Sequence, residues 1–132
     1  MNIRQWLWRG RNIDREIRSL QDTQRKVHDS LTSITARLNG DTVSSTKDPH
    51  RFDKAAEIDS MIEQRVKELL EIKAEIFAAI MKLNDYRYRM VLKDYYVDMM
   101  TLEQIAVNMH YSYQHIKRLR AQAIDALKHE LE

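Results

Sequence analysis

The 132-residue chain contains no cysteine, one proline and two glycines, and each scarcity excludes a class of structure. Without cysteine there is no disulfide framework and no thiolate metal site, which suits a reducing cytoplasm. So few prolines and glycines disfavour tight-turned sheets, whereas the abundant Glu, Lys, Arg, Leu and Ile favour helix. The composition predicts an all-α protein with one compact domain, or with one small domain joined to an extended element.

Long apolar runs are also missing. No stretch approaches the roughly 20 apolar residues of a membrane span, and the N-terminal MNIRQWLWRGR is too short in apolar residues for a signal peptide. We therefore expect a soluble intracellular protein with no membrane partner. The sequence shows no Gly-rich loop, nucleophile motif or metal box, so we expect no enzymatic activity and no cofactor. His110 and His115 are five residues apart across a turn without accompanying carboxylates, which is poor spacing for a metal site.

The first 40 residues carry an apolar series that steps by alternating threes and fours, the pattern of a coiled-coil seam. Gly10 and Gln24 interrupt this series, and because glycine weakens a helix interior, a helix start after Gly10 is an alternative. The apolar members are Ile3, Trp6, Ile13, Ile17, Leu20, Val27, Leu31, Ile34 and Leu38. Trp6 and Trp8 cannot both face the seam, so one is expected to pack and the other to mark an interface.

A second apolar series follows, averaging close to 3.6 residues per step. Asn39 and Gly40 end the first helix, the polar DTVSSTKDP forms a loop, and Asp48 with Pro49 begins the second helix. The members of the second series are Ile58, Ile62, Val66, Leu69, Ile72, Ile76, Ile80 and Leu83. The two matched seams predict a long, coiled-coil-like antiparallel helical hairpin over residues 1–83, serving oligomerisation or partner docking, with half of a dimeric bundle as the alternative.

The composition changes at residue 84, because all six tyrosines lie between Tyr86 and Tyr113. We place a domain boundary there and predict three short helices in residues 84–132. The first runs from about Asp85 to Val97. Thr101, with Gln104 three residues later, forms a capping-box signature for the second helix, which carries Leu102, Ile105, Ala106 and Met109. Ser112 caps the last helix, whose apolar face is Ile116, Leu119, Ala123, Ile124 and Leu127.

Two capped helices joined by a turn of about three residues predict a helix-turn-helix, whose second helix enters the DNA major groove. Although the net charge is only +2, Lys117, Arg118 and Arg120 are locally uncompensated. Gln can pair with adenine, Arg with guanine, and Lys with backbone phosphate. The predicted DNA-binding residues are Ser112, Tyr113, Gln114, His115, Lys117, Arg118 and Gln122.

The stretch TLEQIAVNMHYSYQHIKRLRAQAIDALKHEL, preceded by YRMVLKDYYVD, resembles region four of bacterial sigma factors, their C-terminal promoter-binding part. The resemblance runs through Leu102, Ile105, Ala106, Ser112, Ile116, Leu119, Ala121, Ala123, Ile124 and Leu127. It implies promoter reading by Tyr113, Gln114, Lys117 and Arg118. Two departures from the family are His110, where many helix-turn-helix proteins place glycine, and the Met99-Met100 turn.

Residues 1–83 do not resemble the promoter-melting region of sigma factors, so a full sigma factor is not expected. The arrangement is instead similar to small phage-encoded transcriptional regulators of the ArpU and RinA type. This resemblance implies a phage or prophage regulator in the bacterial cytoplasm, associated with the nucleoid, that binds double-stranded DNA. Dimerisation or contact with host RNA polymerase would supplement a single helix-turn-helix.

Two other functions fit the same elements. A small terminase subunit would also join a helix-turn-helix to helical oligomerisation segments, and a protein-interaction module would use the hairpin without binding DNA. The arginines of the first helix, at positions 4, 9, 11, 15 and 18, are interpreted as a solvated coiled-coil flank. Contact with DNA backbone or with a protein partner is the alternative for them.

Overall fold

The computed structural model of the chain describes residues 2–39 and 50–132. The helices are α1 (Ile3–Asn39), α2 (His50–Met81), α3 (Tyr86–Leu92), α4 (Leu102–Met109) and α5 (Tyr113–Leu131), and α3 continues into a π-helical turn at Lys93–Val97. These ranges contain no strand, so the predicted all-α class is confirmed. None of the described helices combines the length and apolarity that a bilayer crossing requires.

The predicted connection between α1 and α2 lies largely outside the described residues. This applies to Gly40, to the polar loop, and to the start of the second helix at Asp48 and Pro49. The side chains of Ile34 and Leu38, the last two members of the first series, also lie outside the part of the chain whose burial is described.

The chain forms two compact units. Unit 1 comprises Met1–Arg15 and Leu70–Glu132, and unit 2 comprises Glu16–Leu69. The N-terminal residues of α1 and the last part of α2 therefore pack together with the C-terminal helices. The division into a hairpin over residues 1–83 and a DNA-binding domain over residues 84–132 stays a prediction about how the functions are divided.

Unit 2 is a pair of antiparallel helical segments joined by polar contacts. Arg65 Nε donates to Glu16 Oε2 at 2.9 Å, and Gln24 Nε2 donates to Asp59 Oδ1 at 3.1 Å. The His28 imidazole lies 3.0 Å from the same carboxylate. The partner in α2 moves towards its N-terminus as α1 proceeds, which is the order of an antiparallel pair. Between these contacts the seams pack, with Ile62 and Leu69 buried.

In unit 1, α1 begins at Ile3, so the alternative start after Gly10 is wrong. Asn2 caps the helix, because its Oδ1 accepts from the backbone N–H groups of Arg4 at 3.0 Å and Gln5 at 3.3 Å. Gly10 is buried, and a Cβ added to it would lie 2.4 Å from the carbonyl oxygen of Tyr96. Glycine is required there for close backbone approach, and α1 tolerates its low helix propensity for that reason.

The main core of unit 1 joins α1, α2, the π-helical turn and α5. Leu7 is fully buried in it, although the sequence analysis did not place Leu7 in the seam. Trp6 packs against this core, so it is the packed tryptophan of the two, whereas Trp8 is 39% exposed. An interface at Trp8 stays a prediction. The buried members are Ile3, Leu7, Ile76, Ala79, Ile80, Leu83, Leu92, Tyr96, Ala123, Ile124 and Leu127.

Candidate nucleic-acid interface

The first helix of the predicted DNA-binding region begins as its sequence indicates. Asp85 caps α3 by accepting from the backbone N–H of Arg87 at 2.9 Å, and its carboxylate also accepts from the Arg87 guanidinium at 3.3 Å. These hydrogen bonds lower the pKa of Asp85, the contact to the Arg87 side chain most of all. The π-helical turn then carries Tyr96 into the core, and burial raises the pKa of its phenol.

The predicted capping box at the start of α4 is confirmed. Thr101 Oγ1 accepts from the backbone N–H of Gln104 at 3.2 Å, and Gln104 Oε1 accepts from the backbone N–H of Thr101 at 3.0 Å. This reciprocal arrangement satisfies two donors that a helix start would otherwise leave unpaired. It fixes where α4 begins relative to the preceding turn.

The two turns that depart from the family pattern adopt the left-handed conformation that glycine would favour. Met99 has a φ of 63° and His110 a φ of 60°. At His110 the turn closes α4 as a Schellman motif, since the N–H of Tyr111 donates to the carbonyl of Ala106 at 3.0 Å and that of His110 to Val107 at 3.3 Å. The chain therefore keeps the turn geometry with non-glycine residues, at some cost in backbone strain.

The last helix is capped and packed as predicted. Ser112 Oγ accepts from the backbone N–H of His115 at 3.1 Å, which starts α5 at Tyr113. Ile116 and Leu119 are buried in a second core together with Ile105 and Ala106 of α4. Ala106 is 6% exposed, consistent with a small residue where the two helices approach. This core orients α5 so that its opposite face is open.

The open face of α5 carries most of the predicted DNA-binding side chains. Gln114, Lys117, Arg118 and Gln122 are exposed. Tyr113 is 39% exposed, and the Lys117 ammonium lies 5.5 Å from its ring centroid. No hydrogen bond or ion pair within the described residues engages the side chains of Gln114, Lys117 or Arg118, so their donors and acceptors face solvent.

Two members of the basic stretch are placed differently. His115 is half-buried, and its ring packs edge-on against Tyr111 with centroids 4.5 Å apart, so it lies at the margin of the open face. Arg120 is also half-buried, and its guanidinium lies 4.9 Å from the centroid of the Tyr95 ring. The local basic cluster is therefore reduced to Lys117 and Arg118, because Arg120 packs on the domain itself.

Arg11 supports the same region from α1. Its Nη1 donates to the carbonyl of Tyr95 at 2.8 Å and to that of Met100 at 3.2 Å, and its guanidinium lies 4.2 Å from the Tyr95 centroid. The interpretation of this arginine as part of a solvated flank is wrong. Arg11 instead ties the end of the π-helical turn to the turn before α4. No local sequence signal distinguishes it from its neighbours in α1.

No group of three or more His, Asp or Glu side chains in residues 2–39 and 50–132 is arranged to hold a metal ion. The chemistry available at the open face of α5 is therefore hydrogen bonding and ion pairing by Gln, Lys and Arg side chains.

Comparison with known proteins identifies one family. Residues 79–129 match the family model for sigma-70, region 4, and the predicted resemblance to region four is confirmed. Region 4 is a DNA-binding helix-turn-helix, so the chain carries a sigma-like DNA-binding element in this range. The narrower resemblance to ArpU and RinA regulators stays a prediction. No curated protein and no solved structure gives a significant match to the chain.

Proposed function

We propose that this protein is a sequence-specific transcriptional regulator that reads the major groove of double-stranded DNA with α5. The observation that carries the proposal is the open front of this helix, where Gln114, Lys117 and Arg118 project without a side-chain hydrogen bond or ion pair to any residue in 2–39 and 50–132. The match to sigma-70 region 4 supports the same use of the helix. In helix-turn-helix proteins the N-terminal residues of the second helix contact base edges.

Each side chain has a distinct role in this proposal. Gln114 and Arg118 lie four residues apart, on one face of α5, and suit bidentate pairing with adenine and guanine respectively. Lys117 neutralises a backbone phosphate, and Tyr113 contacts a phosphate or a thymine methyl group. Ser112 caps α5, so the start of this helix faces the duplex. Gln122 lies about one helical turn beyond Arg118 and extends the contact along α5. His115 lies at the margin of the open face of α5 and contacts only the edge of the DNA interface.

The cellular setting is part of the proposal. The chain is a phage or prophage regulator of the ArpU and RinA type, located in the bacterial cytoplasm with the nucleoid. Host RNA polymerase is its second partner. The sigma-like helix-turn-helix supports DNA binding and the polymerase contact, whereas the phage setting rests on the sequence resemblance alone.

Self-association of this chain supplements the DNA affinity. A single helix-turn-helix buries little surface, and dimers place two such helices on successive half-sites. Within unit 1, α2 exposes Leu70, Phe77 and Met81, at 51%, 40% and 38%. The exposed Ala74 completes a four-three-four spacing, the repeat with which one helix packs against another. We assign this stripe to a second copy of the chain.

The DNA-binding proposal is tested by selecting bound sequences from random duplex DNA at two salt concentrations. Gln114→Ala and Arg118→Ala should each relax the selected preference, by about 1 to 3 kcal/mol at the affected base pair. Lys117→Ala should weaken binding to all sequences about equally. Gln21→Ala and Arg18→Ala are matched controls, because both side chains are exposed on α1 in unit 2, outside the helix-turn-helix. Equal losses on every sequence for Gln114→Ala, Arg118→Ala and Lys117→Ala would contradict direct reading by α5.

The association proposal is tested by measuring molar mass in solution. Phe77→Lys should reduce the mass to that of a monomer, whereas Phe52→Lys, which alters an exposed phenylalanine outside the stripe, should not. A ring of eight or more subunits would favour the terminase-like function. Absence of salt-dependent binding to any duplex would favour an interaction module without a DNA partner.

A further inference from the structure

A groove in unit 1 joins the first turn of α1 to the second half of α5. The α5 side includes Gln122, which belongs to the predicted DNA-binding set, and so the groove continues from the open face of the helix. The residues lining it are Asn2, Ile3, Arg4, Ala121, Gln122, Ile124, Asp125 and Lys128. Nothing in the helix-turn-helix itself accounts for a contribution from α1 at this place.

The first turn of α1 is held firmly against α5. Ile3 is 8% exposed and Leu7 is fully buried, and both belong to the core that contains Ile124 and Leu127. The Asn2 cap fixes the backbone direction at the start of the helix. The Arg4 side chain therefore leaves a backbone that is fixed beside α5.

The Arg4 side chain differs from those of the other arginines in the N-terminal part of unit 1. Arg9 donates its Nε to the carbonyl of Trp6 at 3.2 Å, and the Arg15 guanidinium lies 5.9 Å from the Trp8 ring centroid. Arg11 is committed to Tyr95 and Met100. The exposed Arg4 guanidinium makes no hydrogen bond or ion pair with any residue that the structure describes.

We propose that Arg4 contacts a backbone phosphate of the duplex that α5 reads, extending the DNA interface beyond the helix-turn-helix onto α1. This inference rests on the proposed function. The Arg4 guanidinium presents a planar fork of donors that matches phosphate geometry. Arg4 lines the same protein groove as Gln122, which belongs to the proposed DNA-reading face of α5. Lys128 adds a second cation along the same wall.

Asp125 supplies the opposing charge in this groove. Its carboxylate lies 3.9 Å from the His129 ring and makes no ion pair with Arg4 or Lys128 among the described residues. A carboxylate facing the duplex repels phosphate, which limits the contact that Arg4 can make. Asp125→Asn should therefore increase DNA affinity modestly, by up to about 5-fold at low salt, which is the upper end of the effect of one surface charge interaction.

The test is the salt dependence of duplex binding by the full chain. The logarithm of the binding constant falls linearly with the logarithm of salt concentration, and removing one phosphate contact makes this slope less steep by about 0.9. For Arg4→Gln the loss of affinity between 0.05 and 0.2 M salt should thus be about 3-fold smaller than for the wild type. Affinity at low salt should fall on selected and unrelated sequences alike. Arg18→Gln removes the same charge from an exposed position of α1 in unit 2 and should leave the slope unchanged.

Thermal unfolding of each variant verifies that the fold is retained. An unchanged slope for Arg4→Gln, alongside altered sequence preference for Gln114→Ala and Arg118→Ala, would overturn the inference and leave the proposed function standing. Equal slope changes for Arg4→Gln and Arg18→Gln would also overturn it, because the effect would then come from net charge. Failure of the wild type to bind any duplex in a salt-dependent manner would remove both proposals.

Discussion

Units 1 and 2 both contain stretches of α1 and α2, yet they bury their side chains to different extents. In unit 1 Leu7, Ile80 and Leu127 are fully buried, because several helices surround each of them. In unit 2 the seam residues Ile17 and Leu20 are only half-buried, and Glu16–Arg65 and Gln24–Asp59 contacts run beside them. On the α2 side of unit 2, by contrast, Ile62 and Leu69 are buried. Similar apolar spacing therefore gives a core closed by several helices in unit 1 and a two-helix seam, partly open on its α1 side, in unit 2.

The physical reason is the number of neighbouring elements. Two helices in contact cover one stripe on each other and leave the sides of that stripe open to solvent, whereas a third and fourth helix close those sides. Exposed ion pairs such as Glu16–Arg65 contribute little to stability. We therefore expect unit 1 to carry most of the free energy of unfolding, and the predictions below test this contrast, from the largest effect to the smallest.

Truncating a core leucine should have the largest effect. Leu127→Ala in unit 1 should lower the free energy of unfolding by about 2 to 5 kcal/mol, because a fully buried side chain leaves a cavity. Leu20→Ala in unit 2 is the matched change and should cost about 1 kcal/mol, since part of its surface is already in water. Chemical denaturation, with amide hydrogen exchange resolved by helix, measures both. Equal costs would break the contrast between the units.

Adding one methyl group at the close approach in unit 1 should have the next effect. Gly10→Ala should destabilise by about 1 to 3 kcal/mol, because the new Cβ meets the Tyr96 carbonyl oxygen and a backbone must shift. Helix propensity alone would stabilise this variant by about 1 kcal/mol. Asn12→Ala, at an exposed position of the same helix, is the control and should be slightly stabilising. A thermal midpoint raised by Gly10→Ala would show that the approach is not tight.

Relieving the left-handed turn should have a smaller effect of opposite sign. His110→Gly should stabilise unit 1 by up to about 1 kcal/mol, because a φ of 60° costs glycine little. Asn108→Gly, inside α4, should instead destabilise by about 0.5 kcal/mol. Thermal unfolding of the two variants gives the comparison. A loss of stability in both would indicate that His110 makes a contribution beyond its backbone conformation.

The smallest expected effect is the contribution of Asp59 to the acid sensitivity of unit 2. Hydrogen bonds from His28, and next from Gln24, hold the pKa of Asp59 below its ordinary value of 3.8. A carboxyl whose pKa is lowered by folding contributes stability above pH 3.8 and loses it as the pH falls through the folded value. Asp59→Asn should therefore flatten the acid end of the stability profile, read by hydrogen exchange in unit 2. Asp29→Asn, which removes an exposed carboxylate from α1 in the same unit, should leave that profile in place.

Much of the candidate site could be predicted from the sequence because its signals are local. The Thr101 and Gln104 capping box, the Ser112 cap and the apolar face of α5 each depend on residues within a few positions of one another. The same is true of the turns at Met99 and His110, where the departures from glycine mark the two residues with positive φ in the described chain. These features predict where α4 and α5 begin and which face of α5 remains open.

The support of the site could not be predicted in this way. Arg11 donates to a carbonyl 84 residues away, and its neighbours in α1 have the same local sequence character. Arg120 belongs to the basic stretch by sequence but packs on Tyr95 instead. Gly10 interrupts the apolar series at a seam position. Glycine is needed there because the Tyr96 backbone, distant in sequence, approaches α1 closely. These contacts depend on which helices meet in space, and the apolar period of a single helix contains no information on that.

The sequence by itself determined the helical class, the starts of α3, α4 and α5 and the exposed row Gln114, Lys117 and Arg118, because helix period and capping act over one or two turns. Only the tertiary structure decided that the start of α1 packs beside α5, which leaves Arg4 facing the groove and buries Leu7. That arrangement depends on side chains far apart in the chain, and on the closure of a core that no single helix can bury alone.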